Sequence, residues 1–92
     1  MSDMSRITLS SNGTAAPGPL NRESLMIMVT GSIGGGTLNI KKYSIARQAY
    51  VTVATYAAIT TEAEELKLGR GKFQFELVDA TTPALDVDYW AV

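Results

Sequence analysis

The chain contains no cysteine and no histidine. Without cysteine no disulfide can staple a small fold, and without either residue the usual sulfur and nitrogen ligands of zinc are missing. The same two absences remove Ser–His–Asp and Cys–His nucleophiles. An excess of charge of one sign is lacking as well. Eight basic against nine acidic residues leave a formal net charge of −1, too little to draw in a phosphate backbone. Lys41-Lys42 and Arg70/Lys72 are the local basic concentrations, and both read as solvated strand or turn positions. Nucleic acid is therefore not an expected partner. Long hydrophobic runs are absent too. The longest mostly apolar stretch, Leu25–Val29, falls far short of the roughly 18 residues of a membrane span. The opening Met-Ser-Asp-Met-Ser-Arg lacks the charged-then-apolar pattern of a signal peptide. A soluble protein made in the cytoplasm is expected, with no membrane partner.

Ninety-two residues make one domain. A chain of this size buries only about 60–65% of the surface its unfolded form exposes, so its core is modest. Small domains often add a disulfide, a metal or a partner subunit. With the first excluded and the second poorly supplied, self-association is the expected extra source of stability.

What is present is alternation. Ile7 and Leu9 alternate with polar residues in a short edge strand. Residues 10–19 carry two prolines, two glycines and several small polar residues, so they read as a loop or linker. Residues 1–23 are accordingly expected to form an N-terminal arm, and 24–92 the folded domain. Leu25, Ile27 and Val29 open a continuously apolar strand of the kind covered on both sides. A glycine-rich connection then leads to Leu38 and Ile40 on one face of the next strand. Gln48–Tyr56 is rich in Val, Thr and Tyr, which favours a strand over a helix. Thr60–Glu65 is compatible with one helical turn capped by Thr60 or Thr61. Phe73, Phe75 and Leu77 alternate with Gln74 and Glu76, and Leu85, Val87 and Tyr89 with Asp86, Asp88 and Trp90. Six to eight short strands with turns every 8–12 residues or so indicate an all-β, antiparallel β-sandwich, jelly-roll-like, with an extended N-terminal arm. The expected core is Phe73, Phe75, Leu77, Leu85, Val87, Leu38, Ile40, Val51 and Val53.

No recognisable chemistry accompanies these strands. Gly31-Ser32-Ile33-Gly34-Gly35-Gly36-Thr37 has no lysine where a phosphate loop needs one, and a strand follows it where a dinucleotide fingerprint needs a helix. It reads as a hairpin connection. Asp86 and Asp88 share a strand face about 6.5–7 Å apart, within the range of paired glycosidase carboxylates, yet any solvated strand face has that spacing. With Asp79 they are also a candidate calcium set, against the simpler reading of a polar outer face. No catalytic residue, cofactor site or metal site is assigned, and the protein is not expected to be an enzyme. Trp90 shares its strand face with Asp86 and Asp88 and so leaves the core. Met26 and Met28 point away from Leu25, Ile27 and Val29 and need a cover. Ile7, Leu9, Met26, Met28 and Trp90 are the expected partner-contacting residues.

Several segments share a look with a known group. Gly34-Gly35-Gly36-Thr37-Leu38-Asn39-Ile40, Tyr50-Val51-Thr52-Val53, Leu66–Phe75 and Asp79–Val87 together resemble small virion proteins of tailed bacteriophages, over about residues 25–90. The chain departs from that pattern at Ser44-Ile45-Ala46-Arg47-Gln48 and Tyr50, where such proteins carry a Ser-Pro-Asp-Gly-like turn and a tryptophan. The resemblance implies a β-sandwich or jelly roll in a subunit that cements or decorates a capsid, or belongs to the tail or neck. On that basis the expected function is a structural virion protein, made in the host cytoplasm. It would self-associate, with a trimer as one expected form, and bind the major capsid protein. The alternative is a carbohydrate-binding module that uses Trp90 with Tyr89 or Tyr50 and the Asp86/Asp88 pair.

Overall fold

Eight β-strands follow one another along the chain in a computed structural model that describes residues 4–92, apart from the side chains of residues 60 and 61. They are β1 (Ser5–Leu9), β2 (Gly13–Ala15), β3 (Leu25–Ser32), β4 (Thr37–Ser44), β5 (Ala49–Tyr56), β6 (Thr60–Leu66), β7 (Phe73–Val78) and β8 (Ala84–Ala91). They build two four-stranded antiparallel sheets, β1-β8-β3-β6 and β2-β7-β4-β5. The pairing is nested. β4 lies beside β5, β3 beside β6, β2 beside β7 and β1 beside β8, as if one long antiparallel hairpin had been rolled up. Rolling brings β3 against β8 and β4 against β7 and closes the two sheets on each other. That is the jelly-roll arrangement.

The alternation explains why the sheets stack. Leu25, Ile27, Val29, Leu85 and Val87 from the first sheet meet Leu38, Ile40, Phe73, Phe75 and Leu77 from the second, all buried. Phe75 packs edge-on against Phe73, with centroids 5.7 Å apart, and tilts against Tyr89 at 5.5 Å, so aromatic contacts tie β7 to β8 across the layers.

Four expectations are corrected. The arm over 1–23 is not separate from the sandwich among the described residues. β1 pairs with β8 from Ser5↔Tyr89 to Leu9↔Leu85, and β2 pairs with β7. Leu20 is buried and exchanges backbone hydrogen bonds with Gly71, while Ser24 and Val92 do the same. The proline and glycine content of 10–19 thus marks turns between paired strands.

Thr60–Leu66 is a strand, so its acidic residues do not open a helical turn. Val51 and Val53 lie outside the core, 38% and 50% exposed. A bulge on β5 opposite Ile40/Lys41 leaves Val53 without a partner, and Val51 sits across from Lys42, where the apolar row has ended. Finally, β3 is covered fully on one side only, since Met26 and Met28 remain half-buried on its outer face.

Candidate functional site

The two outer faces differ in kind. On the β2-β7-β4-β5 sheet, Thr55 donates to Asn39 (3.1 Å), Asn39 donates to Glu76 (3.2 Å), and Lys41 lies 3.0 Å from the same carboxylate. Those two donors hold Glu76 below the ordinary carboxylate range. These four polar side chains satisfy one another.

The β1-β8-β3-β6 face mixes polar and apolar rows. Register places Trp90 across from Met26, Asp88 across from Met28 and from Arg6, and Asp86 across from Thr8. Arg6 donates to both oxygens of Asp88, Nε to Oδ1 at 2.6 Å and Nη2 to Oδ2 at 3.1 Å. Although it stands on an outer face, the Asp88 side chain is only 5% exposed, whereas Arg6 remains 60% exposed above it. The guanidinium holds the Asp88 carboxyl below its usual range, chiefly by hydrogen bonding, and the pair raises Arg6 in turn. Thr8 donates to Asp86 at 2.8 Å.

Both aspartates are therefore committed to β1. Among the described residues no group of acidic side chains is placed to hold a metal, so Asp79, Asp86 and Asp88 are not brought together as a calcium set. Nor does the pair flank Tyr50, which lies on the other sheet against Tyr43.

The five expected partner residues divide. Met26, Met28 and Trp90 come together, half-buried, on one outer face. Leu9 belongs to the buried core, and the half-buried Ile7 packs against it from the same side of β1, so both turn away from the methionine face. The reason is register: opposite Val87 and Leu85, both side chains point inward.

Two features were not anticipated. The first is the free edge of β5. It spans eight residues, exposes Val51 and Val53, and leads out of a turn whose Ile45 is 85% exposed. From residue 48 to residue 61 the chain has no charge and no proline. That run of neutral residues was visible in the sequence, but the edge position follows only from topology.

The second is a cleft of about 420 Å³ at the end of the sandwich where β8 finishes. Ser5, Asn21, Arg22, Phe73, Tyr89 and Trp90 are among the residues that line it. Phe73 and Tyr89 meet there edge-on, 6.3 Å between centroids. Leu20 and Gly71, joined by their paired backbone hydrogen bonds, fix the loop that carries Asn21 and Arg22.

Solved structures share this architecture. The crystal structure of PirA matches with a TM-score of 0.58 at 12% identity, covering 95% of this chain and 92% of that one. The crystal structure of the SPBc2 prophage-derived protein YomS matches with a TM-score of 0.58 at 13% identity, covering 98% and 94%. Likeness at such identities is a likeness of fold. No protein-family model matches the chain, and no curated protein matches it either.

Proposed function

We propose that the chain is a non-enzymatic structural subunit of a bacteriophage virion, one that self-associates and decorates the capsid. The observation that carries this reading is the β5 edge. An edge strand offers a row of unpaired backbone donors and acceptors, and proteins that stay monomeric blunt such edges with charge, proline or a short strand. β5 has none of these three, although its bulge at Val53 breaks the row locally, and its length of eight residues exceeds that of β1, β2 and β6, the other three edges. A two-fold operation sets β5 antiparallel to the β5 of a second copy. No charged residue from 48 to 61 opposes that pairing, and Val51 and Val53 of both copies gain cover. Added backbone hydrogen bonds would extend the β2-β7-β4-β5 sheet into one of eight strands. Such a contact closes at two copies, whereas the trimer expected from the sequence would need a head-to-tail contact.

The second contact would be the outer face with Met26 and Met28, laid on the major capsid protein, with Trp90 at its border. Its polar rows, Arg6–Asp88 and Thr8–Asp86, fix the orientation while the methionines adapt to the surface beneath. The prophage origin of the similarly folded YomS favours a phage setting, as does the resemblance of residues 25–90 to small tailed-phage virion proteins. The test is the protein composition of gradient-purified virions of the phage that encodes the chain, read by mass spectrometry. The chain is expected in intact particles and in isolated heads at many copies each. Its presence in the infected-cell lysate together with its absence from particles would overturn the assignment.

A further inference from the structure

The cleft beside Trp90 lies apart from the β5 edge and adjoins the methionine face through Trp90 alone. We infer that it is a binding site for an acidic saccharide, a disaccharide unit containing a hexuronic acid. Its volume, about 420 Å³, lies in the range of small-molecule sites. The lining combines two kinds of surface. Tyr89 and Trp90, both half-buried, supply aromatic surface against which the C–H face of a sugar ring packs, with the buried Phe73 behind Tyr89. Ser5, Asn21 and Arg22 supply polar groups around it. None of these three side chains has a hydrogen-bond or ion-pair partner among the described residues, nor does the Trp90 indole N–H.

Arg22 decides the class. Arg6 and Arg70 each lie beside a carboxylate, at 2.6 and 3.9 Å, whereas Arg22, like Arg47, has no such partner, and of these two only Arg22 lines the cleft. No acidic residue lines the cleft, so it presents one unneutralised cation in a chain whose net charge is −1. A guanidinium matches a single carboxylate through two parallel hydrogen bonds. One cation without a glycine-rich loop is a poor match for the several charges of a nucleotide. The polar lining likewise disfavours a purely apolar guest.

Trp90 is the chain's sole tryptophan and lines the cleft, so its fluorescence reports on occupation of the cleft by an added sugar. The experiment titrates the intact protein with digalacturonate, with the hyaluronan disaccharide (glucuronate linked to N-acetylglucosamine), and with α-1,4-galactobiose as the neutral counterpart. A saturable change is expected with at least one acidic disaccharide, with Kd at least about tenfold lower than for galactobiose. Arg22→Ala, an exposed and unpartnered position, is expected to keep the fold and weaken acidic binding by about tenfold. Absence of saturation with both acidic sugars up to about 10 mM, ten times a millimolar Kd, would overturn the inference. So would binding to which neither the charge of the sugar nor Arg22 makes a difference.

Discussion

Replacing Phe75 with alanine is expected to lower the unfolding free energy by about 3–5 kcal/mol, the largest effect of any single truncation in the chain. The side chain is fully buried at the centre of the β7 row. It touches Phe73 along its own strand and Tyr89 on the opposite sheet, so truncation removes apolar burial and aromatic contact across both layers. Removing it also leaves a cavity that strands pinned on both sides are poorly able to collapse, because β7 is paired to β2 and to β4. Domains of this size are stable by about 5–15 kcal/mol in total. The loss is therefore a large share of what holds the fold, and Tm would fall by about 4–8 °C for each kcal/mol. Urea denaturation followed by circular dichroism measures it. A loss below about 1 kcal/mol would mean that Phe75 is not in the core.

The second large effect is a backbone effect. Gly31 lies within β3, opposite Leu85 on β8, with φ +99°. A side chain there meets two obstacles. The conformation itself costs about 1–3 kcal/mol for a residue with a Cβ, and the added carbon would run into the carbonyl oxygen of Ala84. Gly31→Ala is expected to destabilise by about 3 kcal/mol or more, because backbone held in a sheet cannot step aside as a flexible side chain would. Gly18 is the matched control, with open space around the position of a new Cβ. Gly18→Ala is expected to be neutral, or stabilising by about 0.4–1 kcal/mol through the unfolded chain. Equal effects at the two positions would contradict the geometry assigned to β3.

The difference between those two glycines is invisible in the sequence, and it marks where sequence reasoning stops. Period-two alternation at 25–29, 73–77 and 85–89 was legible, because one face of each strand is buried and the pattern is local. The same phase rule put Met26, Met28 and Trp90 on one outer face, as the register confirms. β1 and β2 were not legible as parts of the sandwich. They are five and three residues long and set among turn formers, and their partners lie at the far end of the chain, as in Ser5↔Tyr89 and Gly13↔Leu77.

The bulge that turns Val53 outward has no local signal either, since it arises from the fit of β5 to β4. Leu9 shows the converse error. An apolar residue in a segment read as an arm looked free for a partner, while its own β8 was already covering it. The cleft could not be read at all, for its walls come from β1, the 18–22 loop, β3, β7 and β8. Trp90 alone signalled it, and the Asp86/Asp88 pair pointed away from it.

Assembly through the β5 edge is the claim on which the account rests, and light scattering on a sizing column tests it most directly. The measurement compares the natural chain with Val51→Lys/Val53→Lys over a concentration series. Both positions are exposed, so each substitution should change folding stability by no more than about 0.5 kcal/mol. Like charges on two facing edges would then repel. The expected result is a dimer for the natural chain and a folded monomer for the lysine variant, the fold verified by an unchanged far-ultraviolet circular dichroism spectrum. A natural chain that stays monomeric at every concentration, or a variant that assembles as well as the natural chain, would contradict the account.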